Sequence, residues 1–63
     1  MNIRTFRERK GLTQMELARA VGVTQGCISQ WEMGATHPSF RILRNLARVL
    51  DATVDDIVGE ETA

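Results

Sequence analysis

Four uncharged polar or small residues lie close together in the middle of the chain: Gln25, Gly26, Ser29 and Gln30. A Gln carboxamide can bond N6 and N7 of one adenine, and a Ser hydroxyl can meet several base edges. Solvated protein surface is usually richer in Lys and Glu. The pattern therefore indicates recognition of a hydrogen-bonding partner such as a base edge. The alternative is a solvated helix face with modest polar content.

The chain has one thiol, Cys27, and one imidazole, His37. A single cysteine cannot form an internal disulfide, and a structural zinc needs about four Cys or His ligands. Nucleophilic catalysis also needs an orienting third group, which the sequence does not assure. We therefore expect no metal, no cofactor and no enzyme activity. Cys27 is either a redox-sensitive thiol or a small, partly buried residue, and we favour the second interpretation.

Short helices must position these residues, because glycines and capping residues divide the chain into segments with helical periodicity. The glycines that follow such segments are Gly11, Gly22, Gly34 and Gly59. The predicted N-caps are Asn2, Thr13, Thr24, Ser39 and Thr53. Because no run alternates as a strand would, we predict an all-α, compact fold of five helices. Their predicted bounds are about 3–10, 14–21, 25–33, 40–50 and 54–58.

Apolar residues repeat at helical spacing within these segments and predict the core. The first three helices contribute Ile3, Phe6, Leu17, Ala18, Val21, Ile28 and Trp31. The fourth contributes Phe40, Leu43, Leu46, Ala47 and Leu50. Thr13 and Glu16 have the spacing of a capping box, which predicts the start of the second helix.

Only Gly22, Val23 and Thr24 separate the second helix from the third. Two helices joined by three or four residues that include a glycine are typical of a helix-turn-helix, here over about 14–33. The glycine permits the positive φ of a sharp turn, and Val23 fills the angle between the helices. This turn makes the outward face of the third helix the candidate functional surface.

With 63 residues, the chain is predicted to be one small domain, 1–63, whose limited core would benefit from a partner subunit. Residues 1–50 carry eight basic and three acidic residues, a net charge of +5. The last thirteen carry five acidic and no basic residues, a net charge of −5, and include an acidic tail at 59–63. This segregation favours contact with nucleic acid, unless it is an accident of a short chain.

The sequence resembles the Cro and phage-repressor helix-turn-helix family, and the run LTQMELARAVGVTQGCISQWEMG is its most specific part. Other matching residues are Ile3, Phe6, Arg7, Gly11, Pro38, Leu43, Leu46, Ala47 and Leu50. The resemblance extends from Ile3 to about Val58. It implies a lambda-repressor-like domain of five helices that binds operator DNA, usually as a dimer.

The resemblance also implies roles for individual residues. Gln25, Gly26 and Ser29 would lie against base edges in the major groove, although Gly26 departs from the side chain that many relatives have there. Gln14, Thr24 and Gln30 would contact phosphates. Arg7 and Glu32 resemble the family's inward ion pair, and the alternative is two unrelated surface charges. The third helix carries no Lys or Arg, so sequence-independent affinity must come from Arg41, Arg44, Arg4, Arg9 or Arg19. Arg41 is the first candidate, and His37 in the loop is a weaker one.

Ile42 and Val49 lie seven residues apart and share a face offset from the main apolar stripe, with Val58 expected nearby. This strip is either a dimer seam or extra core packing against the fifth helix. We expect a DNA-binding transcriptional regulator, a repressor that binds a palindromic operator as a homodimer. The alternatives are an antitoxin that binds a toxin protein as well as DNA, and an interaction domain that has lost DNA binding.

No apolar run approaches the length of a membrane span, about 20 residues, and no signal peptide is visible. The sequence therefore predicts no membrane partner. We expect a cytoplasmic location.

Overall fold

The computed structural model describes residues 1–59, and these form five α-helices. The helices are α1 (Ile3–Arg9), α2 (Gln14–Val21), α3 (Gln25–Met33), α4 (Phe40–Val49) and α5 (Val54–Val58). Residues 1–59 contain no strand, so the all-α prediction is confirmed. The acidic part of the predicted tail, 60–63, lies outside the described residues. No helix in the described part of the chain is long and apolar enough to cross a membrane.

Hydroxyl side chains begin four of the five helices, as predicted. The capping box of α2 is complete: Thr13 Oγ1 accepts from Glu16 N over 3.0 Å, and Glu16 Oε1 accepts from Thr13 N over 2.8 Å. This reciprocal pair satisfies two N–H groups that the helix leaves without partners. The start of α2 is therefore fixed locally.

Asn2 is the N-cap residue of α1, as predicted, and its carbonyl accepts from Phe6 N over 3.1 Å, but its side chain does not cap the helix. Its side chain makes no cap hydrogen bond, because its backbone lies at φ −102° and ψ 28° and not in the extended conformation of an N-cap. Asn2 Nδ2 instead donates to the carbonyl of Asp56 over 3.1 Å, and Asn2 N donates to the carbonyl of Ile57 over 2.7 Å. Asn2 therefore ties the start of the chain to α5.

The turn between α2 and α3 has the geometry expected of its sequence. Gly22 lies at φ 86° and ψ 33°, a left-handed conformation that a side chain would strain. The N–H groups of Gly22 and Val23 both donate to the carbonyl of Ala18, at 2.8 and 2.9 Å. Val23 is half-buried and packs against the core. The turn thus fixes the angle at which α3 leaves α2.

The core takes a fully buried side chain from every helix. These five residues are Ile3, Leu17, Ile28, Leu46 and Ile57. Six further buried residues surround them: Ala18, Val21, Trp31, Leu43, Ala47 and Leu50. One hydrophobic cluster joins all five helices. The same core therefore positions both the turn and α3.

The prediction that Phe40 belongs to this core is wrong, because its side chain is 66% exposed. Phe40 has the right spacing to Leu43 and Ala47, but it is the first residue of α4. Side chains on a helix tilt toward its N-terminus. At the first position of α4 no preceding turn lies beneath the side chain of Phe40, which is left largely in solvent.

Candidate nucleic-acid interface

The outward face of α3 is defined by what the opposite face buries. Ile28 and Trp31 point into the core, so Gln25, Gly26 and Gln30 are exposed and Ser29 is half-buried. The structure thus brings the predicted base-reading residues to one surface, free of charged side chains. A helix with this face can enter a major groove and present hydrogen-bonding groups to base edges.

Met33 belongs to the same surface, and the sequence reasoning missed it. Its side chain is 77% exposed, and its sulfur accepts a hydrogen bond from Ser29 Oγ over 3.9 Å. Its spacing could have indicated this position, because Met33 follows Ser29 by four residues and Gly26 by seven and so shares their helix face. An apolar side chain here could contact the methyl group of a thymine.

Gln25 is held from behind by Gln14. Gln25 Nε2 donates to Gln14 Oε1 over 3.5 Å, and Gln14 Nε2 donates to Glu32 Oε1 over 3.1 Å. Gln14 is therefore half-buried between the outward face of α3 and the interior. A phosphate contact through its carboxamide would have to compete with these bonds. Its backbone N–H, in the first turn of α2, has no partner within the helix.

Thr24 begins α3. Its hydroxyl accepts from Cys27 N over 3.2 Å and lies 3.2 Å from Cys27 Sγ, to which it donates. A phosphate contact by this hydroxyl would replace the weak bond to sulfur. Cys27 is half-buried, as expected of a small structural residue. Within residues 1–59, no cluster of His, Cys, Asp and Glu could hold a metal ion.

Arg7 and Glu32 form a bidentate ion pair between α1 and α3. Arg7 Nε lies 2.6 Å from Glu32 Oε2, and Arg7 Nη2 lies 3.1 Å from Oε1. The third nitrogen, Nη1, donates to the carbonyl of Leu12 over 2.8 Å. The side chains are only 11% and 6% exposed. The pair therefore holds the C-terminal part of α3 against α1.

These contacts also shift both acid–base equilibria. Burial of the Glu32 carboxylate opposes its ionisation, but the hydrogen bonds from Arg7 and Gln14 outweigh burial and hold its pKa below the ordinary value. The hydrogen bond to Glu32 raises the pKa of Arg7, against a smaller effect of burial. The pair is thus ionised at neutral pH, and Gln14 belongs to the same network.

Some of the basic side chains contact an acidic or aromatic side chain of the same chain, and others are exposed without such a contact in residues 1–59. Arg4 pairs with Glu8 over 3.3 Å, and the guanidinium of Arg9 lies 5.0 Å from the centre of the Phe6 ring. Arg41, at the start of α4, and His37, in the loop before it, are both exposed. Arg41 also shares one face of α4 with Arg44, another of the predicted candidates, and with Arg48, to which the sequence reasoning gave no role. We call Arg41, Arg44 and Arg48 the α4 arginine stripe.

The residues of the predicted dimer seam lie at the edge of the core. Ile42, Val49 and Val58 are each half-buried and pack against it. This packing agrees with the second interpretation of the strip. The part of each side chain that remains exposed leaves the dimer seam a prediction.

A family model described as helix-turn-helix matches residues 3–57 of this chain. The chain belongs to this helix-turn-helix family. The match covers all of α1 to α4 and reaches Ile57 in α5, so it includes residues from all five helices. It confirms the resemblance to Cro and phage repressors, and the members of this family are DNA-binding transcriptional regulators.

Relatives of this helix-turn-helix chain carry regulatory names. An uncharacterized HTH-type transcriptional regulator from Archaeoglobus fulgidus is 44% identical over 55 residues, which are 87% of this chain and 79% of that protein. The HTH-type transcriptional regulator SinR from Bacillus licheniformis is 33% identical over 60 residues, 94% of this chain and 54% of SinR. Antitoxin PezA from Streptococcus pneumoniae is 33% identical over 60 residues, 95% of this chain but 38% of PezA. The chain thus spans about half of SinR and less of PezA.

Proposed function

We propose that this helix-turn-helix protein is a repressor that binds a palindromic operator in duplex DNA. The observation that carries the proposal is the uncharged outward face of α3, on which Gln25 is held by Gln14 over 3.5 Å. A side chain held in place before binding loses less conformational freedom when it meets a base. Gln25 and Ser29 would select bases, and Gly26 would allow close approach of the duplex.

Phosphate contacts would fix the position of α3 in the groove. Gln14 and Thr24 would contribute at the helix N-termini, where N–H groups favour anions. Gln30, His37 and Arg41 would contribute from their exposed positions on α3, the following loop and α4. Such a protein would act where the DNA is, and we expect it in the cytoplasm.

A homodimer would place two α3 helices in successive major grooves, about 34 Å apart. We propose that Ile42, Val49 and Val58 contribute their exposed parts to its seam. Two-fold symmetry would then match a palindromic operator. The small size of the core supports the proposal, because a second subunit would bury further apolar surface.

The test is selection of bound duplexes from a random pool, followed by titration of the best sequence in salt. We expect enrichment of a palindrome whose half-sites lie about one helical turn apart. Absence of enrichment, with only weak and steeply salt-dependent binding, would refute a sequence-specific operator. Enrichment of a single half-site would refute the palindromic operator, but it would still support base recognition by the outward face of α3.

A second candidate function is that of an antitoxin, which the similarity to PezA favours. In that case the protein would bind a partner toxin as well as DNA. The first observation to make is whether a small reading frame lies beside its gene. Expression of that frame should arrest growth, and co-expression of this chain should relieve the arrest. A neighbour that is harmless when expressed contradicts this candidate.

A further inference from the structure

The recognition helix α3 carries no Lys or Arg, from Gln25 to Met33. Binding of a protein to duplex DNA draws most of its sequence-independent affinity from cations that neutralise phosphates. The outward face of α3 can select bases, but it cannot supply this attraction. Another part of the chain must do so.

Within residues 1–59, three of the eight basic residues contact an acidic or aromatic side chain. Arg7 is bound by Glu32 and the carbonyl of Leu12, and Arg4 is bound by Glu8. Arg9 lies over the ring of Phe6. The residues left are Lys10, Arg19, Arg41, Arg44 and Arg48. Three of these five belong to one helix, so the unneutralised positive charge is concentrated on α4.

The α4 arginine stripe lies on the side of α4 opposite its buried residues. Positions 41, 44 and 48 are three and four residues apart, so their side chains share one face. All three are exposed, and Asn45 Oδ1 accepts from Arg48 Nη2 over 3.0 Å. Arg41, Arg44, Asn45 and Arg48 line one shallow surface depression. Within residues 1–59, no carboxylate forms an ion pair with any of the three arginines.

We infer that the α4 arginine stripe binds the phosphate backbone of duplex DNA and supplies the sequence-independent affinity that α3 lacks. The occupant follows from charge complementarity, since three guanidinium groups with no acidic partner among residues 1–59 match a row of phosphates. The stripe extends about 10 Å along the helix, at about 1.5 Å per residue. Phosphates on one strand advance about 3.4 Å along the duplex axis at each step, so a stripe of this length can span more than one phosphate.

This inference rests on the proposed DNA-binding function and deepens it. It adds Arg44 and Arg48 to the phosphate contacts already proposed, and it divides the work between two helices. α3 distinguishes base pairs, and α4 attracts any duplex. Loss of the stripe should therefore weaken binding to all sequences equally and leave the base preference unchanged.

The experiment compares the salt dependence of binding to a duplex of unrelated sequence. The stripe variant is Arg44→Gln with Arg48→Gln, and the matched control is Arg4→Gln with Arg9→Gln. Both variants lose two positive charges, but only the first removes guanidinium groups that have no acidic or aromatic partner in the described part of the chain. All four arginines are exposed, so thermal melting should show that both variants stay folded.

Each phosphate contact contributes about 0.9 to the slope of log affinity against log salt. We expect the slope of the stripe variant to be shallower by about 1.8, and that of the control to equal the wild type. Between 50 and 200 mM salt, the stripe variant should then lose about tenfold less affinity than the wild type. The sequence enriched from a random pool should be the same for all three proteins.

Three results would overturn the inference while leaving the proposed function in place. These are a wild-type slope in the stripe variant with unchanged sedimentation mass, a wild-type slope with changed mass, and an equal change of slope in the stripe variant and the control. The second would assign the stripe to a protein interface, and the third would show that only net charge matters. A wild-type chain that binds no duplex at all would overturn the proposed function and this inference together.

Discussion

Gln14 Nε2 donates a hydrogen bond to Glu32 Oε1 over 3.1 Å, and this bond joins the start of α2 to the C-terminal half of α3. The same carboxylate is held by Arg7, and the same glutamine accepts from Gln25 over 3.5 Å. The inward ion pair and the outward base-reading side chain thus belong to one chain of contacts. A change at Glu32 should therefore affect both stability and recognition.

Replacement of Glu32 by Gln should destabilise the fold strongly. The substitution leaves the guanidinium of Arg7 partly buried without its counter-charge, which costs about 3–5 kcal/mol for a buried pair. Chemical denaturation would measure the loss. The control is Glu8→Gln, which breaks the exposed pair with Arg4 and should cost less than about 1 kcal/mol. Equal losses in the two variants would contradict a structural role for the inward pair.

The contribution of Glu32 to stability should disappear in acid. Its pKa is lower in the folded chain than the ordinary value, so the folded state favours the ionised form. This stabilisation is present above the unfolded pKa of about 4.3, and it is lost as the pH falls through the lowered folded pKa. The difference in free energy of unfolding between wild type and Glu32→Gln should therefore shrink below about pH 4.3. A difference that stays constant to pH 2 would rule out this linkage.

Replacement of Gln25 by Ala should relax base selection at one position of the operator. We expect a cost of about 1–3 kcal/mol for the preferred base pair and little change for its substitutes. The measurement is binding to a panel of duplexes, each with a single base-pair change. Arg44→Gln serves as the contrasting variant, because it should weaken every duplex alike. A uniform loss in Gln25→Ala would show that Gln25 reads no base.

Replacement of Gly26 by Ala should change stability and DNA affinity in opposite directions. Gly26 has helical backbone, and an added Cβ would meet only Thr24 Oγ1 at 3.7 Å, an ordinary contact. The free energy of unfolding should therefore rise by about 0.5–1 kcal/mol. Specific affinity should fall, because the new methyl group lies where the duplex is expected to approach closely.

Thermal melting and a binding titration would measure the two effects of Gly26→Ala. The matched control is Gly34→Ala, which should destabilise the fold because Gly34 lies at φ +78°. If Gly26→Ala binds the selected operator as tightly as the wild type, the duplex does not approach α3 closely at this point.

Replacement of Ile42 by Glu should lower both the sedimentation mass and the affinity for a full palindrome. The carboxylate would face the proposed partner subunit, where burial without a counter-charge is unfavourable. Ile42 also packs against the core, so circular dichroism must first show that the variant is folded. Thr5→Glu places the same charge on an exposed position of α1 and should change neither measurement. A folded Ile42→Glu variant with unchanged mass and affinity would remove Ile42 from the seam.

The sequence alone determined the elements of this protein. The five helices, the capping box of Thr13 and Glu16, and the left-handed turn at Gly22 are confirmed. All of them depend on residues within about four positions of one another, where hydrogen bonding and helical periodicity act directly. The outward direction of Gln25 and Ser29 followed from the same periodicity once Ile28 and Trp31 were assigned to the core.

Only the tertiary structure decided which side chains meet across the fold. The side chain of Asn2, the N-cap residue of α1, bonds the carbonyl of Asp56, 54 residues away, and makes no cap hydrogen bond of its own. Phe40 has the spacing of a core residue but is 66% exposed, at the first position of α4. The packing of the helices also decides which arginines find partners, and it leaves the α4 arginine stripe without one in residues 1–59. Local periodicity specifies the face of a helix, but what covers that face depends on where the other helices lie.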